Sequence, residues 1–319
     1  MQFVLRHSYI LAAAAAAIYP AAASAEKLRV ALPQKGLWET SITVMGEKAG
    51  IFKKAGLDLD ILFTRGGSET VQAVLAGSVD VARANGLLGT IGGYSKGAPI
   101  RVTAASMTGA PDIFWYVKGD SPIKKLSDLK ASDTIGFSRP GSSSHLLVLA
   151  LISQNKLAAK GVPAGGLSGS FTQAMSGQLT LGWAVPPFRL KEIQEGKVRL
   201  IAKASDIDEA KNQTIRVNVS SANALKTKRE ALVKFHKAWV EALNYVYSSD
   251  KALEDYAAFA KVTKKEAEET RKFYPKEALE PYEIKGLELS LKQAHEYKFT
   301  SKLLAPADVK GMIDILVQK

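Results

Sequence analysis

Short apolar runs alternate with longer amphipathic ones, and glycine- and serine-rich junctions join them. This alternation sets the narrowest limit on what the chain can fold into. Leu28 to Leu32 reads as a strand, and the loop Pro33-Gln34-Lys35-Gly36-Leu37-Trp38-Glu39 leads into a helix from about Thr40 to Gly50. Leu57 to Phe63 is the next strand, Thr64-Arg65-Gly66-Gly67 follows, and Ser68 caps a helix running to Ala76. Val79 to Ala82 is a third strand, after which Asn85-Gly86 opens a third helix. Strand–helix–strand succession with loops this short predicts parallel sheets covered on both faces. The same syntax restarts after residue 110, with strands at Ile113 to Val117 and Asp133 to Phe137, then Ser138-Arg139-Pro140-Gly141 and a helix from Ser142 to about Gln154. The run Leu75 to Ala82 is echoed 100 residues later by Met175 to Gly182. Each is a helix end with a stop glycine feeding a strand, and the echo suggests two equivalent lobes. A length of 319 residues suits two lobes.

The last third changes character. Leu232, Phe235, Trp239, Leu243 and Val246 mark one face of a long helix, which makes Trp239 a core residue. Thr263-Lys264-Lys265-Glu266 is a capping box opening another helix, ended by Pro275. This helical tail is expected to pack on the first lobe, with charged stretches such as Lys264 to Lys272 facing solvent.

The first 25 residues carry the pattern of an export signal. Arg6 and His7 form a basic start, the apolar run from Ile10 to Ile18 is too short to span a membrane, and Ala23-Ser24-Ala25 is a small-x-small cleavage pattern. Cleavage after Ala25 and a periplasmic location are expected. Exported proteins have no free supply of cytosolic nucleotide cofactors, which argues against kinase, dehydrogenase and polymerase functions. Cysteine is absent, which excludes disulfides, a thiol nucleophile, zinc ribbons, iron–sulfur clusters and a lipidated cysteine. The formal charge of +12 favours acidic ligands or surfaces.

Signatures of catalysis fail in turn. His145, His236 and His295 stand far apart without metal-ligand spacing, so no metal is expected. No nucleophile elbow, P-loop or dinucleotide fingerprint occurs. Ser121-Pro122-Ile123-Lys124 and Ser153-Gln154-Asn155-Lys156 match a serine–lysine pattern, but its companion motifs are missing. The expectation is a binding protein, not an enzyme, with no cofactor and no nucleic-acid partner.

The junctions offer binding chemistry instead. A helix amino terminus presents unpaired amides and partial positive charge, and glycine lets a ligand approach them. Gly66-Gly67-Ser68, Asn85-Gly86 and Arg139-Pro140-Gly141-Ser142-Ser143-Ser144-His145 have this composition. Gly67 and Ser68 also suit a simple helix cap, whereas the Arg139 to His145 run is richer than capping requires. Trp38 falls in the first junction loop and Trp183 at a strand end of the second lobe, and they read as a pair clamping an organic ligand across a cleft, while Trp115 reads as core.

Five phrases together resemble a known family. They are Glu47 to Asp58 (EKAGIFKKAGLD), Leu75 to Asp80 (LAGSVD), Leu126 to Lys130 (LSDLK), Gly136 to Ser143 (GFSRPGSS) and Gly182 to Phe188 (GWAVPPF). They resemble the nitrate/sulfonate/taurine class of periplasmic solute-binding proteins serving ABC importers, over most of Lys27 to Phe188. Thr180 stands where the second lobe of that class usually has aspartate, and Pro33 to Glu39 matches none of its phrases. Both departures leave the ligand open.

The resemblance implies an α/β, two-lobed periplasmic-binding-protein fold. Each lobe would be a mainly parallel sheet flanked by helices. Residues 26–106 plus 215–319 would form lobe 1 and residues 107–214 lobe 2, hinged near Ala105-Ser106 and Thr214 to Arg216. Ligand contacts implied by the family are Trp38, Gly67, Ser68, Asn85, Met107, Thr108, Ser142, Ser143, His145 and Trp183. Arg139 is a further candidate as ion partner, and Arg83 reads as a surface salt bridge. The implied function is capture of a small organic anion (a sulfonate, a taurine-like molecule or a carboxylate) by a monomer that delivers it to a permease in the inner membrane. The alternatives are a thiamine-pyrimidine precursor or other heterocycle stacked between Trp38 and Trp183, and an enzyme on the same fold. The export signal and missing cysteines oppose the last.

Overall fold

Leu28, Val30, Ala31 and Leu32 are all fully buried, so the first strand is covered on both faces, as its unbroken apolar run requires. The structure, a computed structural model, describes residues 25–319. Apart from Ala25, the expected export segment lies outside the described residues. In chain order the first elements are β1 (Glu26–Pro33), α1 (Trp38–Lys48), α2 (Ile51–Lys54), β2 (Leu57–Thr64), α3 (Gly67–Leu75), β3 (Val81–Gly86), α4 (Leu87–Ser95) and β4 (Ile100–Thr108). A middle block follows: β5 (Phe114–Lys118), β6 (Thr134–Phe137), α5 (Ser143–Asn155), β7 (Lys160–Pro163), α6 (Leu167–Ser176), β8 (Gly182–Ala184), α7 (Leu190–Gln194) and β9 (Val198–Lys203). The chain then forms β10 (Thr214–Ser221), α8 (Ala222–Ser248), α9 (Asp250–Ala260), α10 (Lys264–Lys272) and α11 (Leu287–Glu296). No helix among the described residues is long and apolar enough to cross a membrane.

Two sheet systems result. One has the order β2-β1-β3-β10-β4; the other comprises β8-β5-β9 and the pair β6-β7, joined by a bridge between Ile135 and Leu181. The chain passes between them twice, from Thr108 to Phe114 and from Lys203 to Thr214. Strands β1, β2 and β3 are parallel, as are β6 and β7. The expectation of mainly parallel sheets needs correction elsewhere. β10 runs antiparallel to β3 and β4, and β5 runs antiparallel to β8 and β9. Both strands enter their sheets from the opposite lobe, not through a helical crossover, so nothing forces the parallel direction.

The sequence echo has a structural counterpart. Gly77 and Gly177 both adopt left-handed φ, +69° and +79°. Beyond them, Asp80 Oδ2 accepts the Arg29 amide at 2.9 Å, and Thr180 Oγ1 accepts the Thr134 amide at 3.1 Å. Aspartate and threonine thus do the same task, tying a strand start to its neighbour. Asp80 also binds the Arg29 guanidinium and the Lys228 ammonium.

Helix α8 buries Leu232, Phe235, Trp239, Leu243 and Val246, as its periodicity predicts. Phe235 stacks on Phe52 of α2, with centroids 5.4 Å apart. Each such apolar side chain contributes about 1.5–3 kcal/mol on burial. Thr263 and Glu266 form the expected capping box of α10. The tail reaches the second lobe as well, through Tyr274 O–H donating to the Pro186 carbonyl at 3.3 Å.

Candidate functional site

Three helices point their amino termini at one cavity between the lobes: α1 and α3 from the first and α5 from the second. Neither Leu37 before α1 nor Gly66 before α3 supplies a side-chain cap, so their first amides have no such partner. At α5, Ser142 Oγ accepts the His145 amide at 3.2 Å. The cavity measures about 40 Å³, room for on the order of three water molecules. Its wall takes Gln34, Leu37, Glu39, Thr40, Gly67 and Ala84 from the first lobe and Ser138, Ser142, Ser143, Ser144, Trp183 and Val185 from the second. Gln34 and Ala84 hold left-handed φ of +53° and +56° without being glycine. Such strain costs roughly 1–2 kcal/mol per residue and clusters where a structure holds a ligand.

Arg216 of β10 completes the wall. Its Nη1 donates to Glu39 Oε2 and to Asp112 Oδ2, both at 2.7 Å, and its Nε donates to Ser143 Oγ at 3.0 Å. Burial pulls its pKa down, but Asp112 and Glu39 outweigh that and raise it above arginine's ordinary value. Glu39 Oε1 in turn accepts the Ser106 hydroxyl at 2.7 Å, and Ser106 Oγ faces Arg83 Nη2 at 3.5 Å. Two carboxylates and two guanidiniums therefore balance in one buried network, the arrangement that makes buried charge tolerable.

Arg83 corrects an expectation. It is no surface salt bridge: it is fully buried, with its guanidinium 3.8 Å from the Trp239 ring centroid. An arginine there escapes the usual burial penalty only in part. Burial lowers its pKa to about 9, with Glu39 opposing the shift, so it stays charged at neutral pH.

Of the residues singled out from sequence, Trp183, Gly67, Ser142 and Ser143 line the cavity. Trp183 is 3% exposed, and its indole N–H has no hydrogen-bond partner among the described residues. Trp38 lies elsewhere. Helix α1 starts at Trp38, earlier than Thr40, and turns its ring into the core. There its N–H donates to Tyr247 Oη at 3.0 Å and its ring meets Tyr256 edge-on at 4.7 Å. The facing tryptophan pair is thus corrected, and with it the stacking arrangement that the heterocycle alternative assumed.

Asn85 belongs to β3 rather than to a helix start. It donates to the Ala82 and Val217 carbonyls at 2.9 and 3.1 Å and accepts the Thr70 hydroxyl at 2.5 Å, so its polar atoms serve the sheet rather than the cavity. Met107 places its sulfur 3.2 Å from Arg216 Nη1. Thr108 pairs with Thr214 Oγ1 at 2.9 Å, joining the two crossover strands. Ser68 caps nothing; its hydroxyl donates across the cleft to the Pro140 carbonyl at 3.0 Å. His145 stacks on Phe137 at 4.1 Å and accepts the Gly141 amide. Burial lowers its pKa to about 4. Arg139 binds Glu69 at 2.5 Å outside the inner cavity.

Sequence reasoning missed Gln34, Glu39, Thr40, Asp112 and Arg216 as cavity or network residues. One signal was available: Arg216 interrupts the apolar strand Ile215-Arg216-Val217, where a buried charge demands partners. Among the described residues, no group of His, Asp or Glu is arranged to hold a metal ion.

Two sheet-based lobes joined by two crossovers and closing on a cavity define the periplasmic-binding-protein fold. Solved structures share it. The alkanesulfonate-binding protein SsuA from Xanthomonas axonopodis pv. citri, bound to MOPS, matches with a TM-score of 0.76 at 16% identity, over 92% of this chain and 99% of that one. The nitrate-binding protein NrtA from Synechocystis PCC 6803 matches with a TM-score of 0.66 at 13% identity, over 89% and 84%. The CA3427 gene product of Candida albicans, described as having the generic periplasmic binding protein fold, matches with a TM-score of 0.72 at 13% identity, over 92% and 98%. The family follows from sequence: residues 39–252 match the family described as NMT1/THI5 like, and the chain belongs to it. No curated protein matches the sequence.

Proposed function

We propose that this protein is the solute-binding component of an ABC importer. It would take up a small organic solute bearing an acidic group, a sulfonate or carboxylate, between its lobes and release it unchanged to an inner-membrane permease. The observation that carries this reading is the convergence of α1, α3 and α5 from both lobes, with the Trp183 side chain, on one cavity between the lobes. Donors supplied by separate lobes reach a common ligand only when the lobes are together, so binding energy favours the closed form that a permease can recognise. The sulfonate- and nitrate-binding neighbours and the +12 charge support an acidic solute.

In this reading residues 26–106 with 215–319 move as one lobe and residues 107–214 as the other. The protein works as an exported monomer in the periplasm. The testing experiment is a thermal-shift panel of alkyl sulfonates, taurine, nitrate, small carboxylates and formylaminopyrimidines, followed by calorimetry. A ligand at a hundred times its Kd stabilises by about 2.7 kcal/mol, a shift easily read. If no compound moves the midpoint, or if one is chemically converted, the reading fails.

A further inference from the structure

Outside the inner cavity, at the mouth of the cleft, lies a groove of about 510 Å³ lined by both lobes. We propose that this groove is a second subsite that holds an oxyanion, and that the solute spans both compartments with its acidic group outside and an uncharged polar head within. The inference rests on the solute-binding reading and says where that solute keeps its charge.

Charge is distributed unevenly between the two spaces. In the inner cavity Arg216 is already matched by Glu39 and Asp112. In the groove stand Lys35, Arg65 and Arg139. Among the described residues, Glu69 is the one carboxylate that serves both guanidiniums, at 3.1 Å from Arg65 and 2.5 Å from Arg139. Lys35 holds its ammonium over the rings of Phe63 and Phe259, 5.9 and 5.3 Å from their centroids, with no carboxylate partner among the described residues. Counting ionised side chains among the described residues, the groove thus carries surplus positive charge and the inner cavity none. Gln34 lines both spaces and divides them. Its side-chain oxygen accepts the Leu167 amide at 3.2 Å, crossing from the first lobe to the start of α6. Its left-handed backbone turns the chain at that divide. A molecule reaching from one space to the other would pass this side chain.

Inorganic sulfate, titrated calorimetrically at low ionic strength, tests the groove directly. Wild-type protein should bind it. Lys35→Ala and Arg65→Ala should each weaken binding at least fivefold, and the double variant more than twentyfold. Arg65 is 76% exposed on its side chain, so its removal spares the fold. Lys292→Ala on α11, outside the groove, should leave sulfate affinity unchanged. Absence of sulfate binding, an unaltered double variant, or an equal loss in Lys292→Ala would each overturn the proposal. The organic panel, run on the same variants, separates the two readings. A solute that stabilises wild type and double variant alike keeps the solute-binding role and removes the groove from it. Failure of every organic solute removes that role, while the sulfate titration still decides whether the groove holds an oxyanion.

Discussion

At the scale of single residues, two tryptophans with similar sequence surroundings have opposite duties. Trp183 lines the cavity and its indole N–H has no partner among the described residues, whereas Trp38 spends its own on Tyr247 inside the core. Trp183→Ala should therefore weaken binding of any stabilising solute by about 1–3 kcal/mol in calorimetry. Both rings are buried, so truncating either should cost about 3–5 kcal/mol in denaturant unfolding through the cavity it leaves. Among variants still folded, only Trp183→Ala should lose affinity; equal affinities for the two would contradict this division. Arg216 presents a different case, because its removal strands two buried carboxylates. Arg216→Met should destabilise by about 3–5 kcal/mol, and adding Glu39→Gln should recover part of the loss. A double-mutant cycle showing no coupling would mean the network contributes nothing as a unit.

At the scale of elements, the lobes meet where side chains are missing. A Cβ on Gly89 of α4 would sit 2.3 Å from the carbonyl oxygen of Gly141, in the loop before α5, and one on Gly86 would meet the same oxygen at 2.3 Å. Backbone pressed on backbone cannot yield as a side-chain end can. Gly89→Ala should hold the jaws apart, giving a larger scattering radius with saturating solute and weaker affinity, with secondary structure retained. An unchanged radius would show that the contact does not limit closure. Element order was legible in the sequence because apolar periodicity and stop glycines act between near neighbours. The start of α1 was not. Leu37 gives no side-chain cap to mark it, and the small difference in start decides whether Trp38 faces cleft or core. The direction of β10 was equally hidden, since its pairing partners are set by the crossover and not by its own residues.

At the scale of the whole molecule, the buried His236 and the half-buried His145 link folding to pH. His236 bonds Thr103 through Nε2; burial, with Arg83 nearby, lowers its pKa to about 3. His145 is held near 4 by burial. Both begin to take protons in the unfolded chain near 6.5, while the native state refuses them until far lower pH. The unfolded state thus binds more protons in that window. Stability is complete above 6.5 and falls as pH drops toward 3, by about 1.4 kcal/mol per pH unit for each proton of difference. Thermal midpoints measured from pH 7 to 4 should decline, and His236→Gln should flatten the decline. Identical slopes in both proteins would place the acid sensitivity elsewhere.

The amino-acid order alone settled the alternation of strands and helices, the repeated syntax of two lobes, the amphipathic tail and the placing of Gly67, Ser142 and Ser143 at helix starts. All of these depend on residues a few positions apart. Only the folded chain decided which charges share the cavity. Arg216 meets Asp112 across 104 positions and Glu39 across 177. Such pairs acquire their strength from burial, and burial exists only once distant segments have packed.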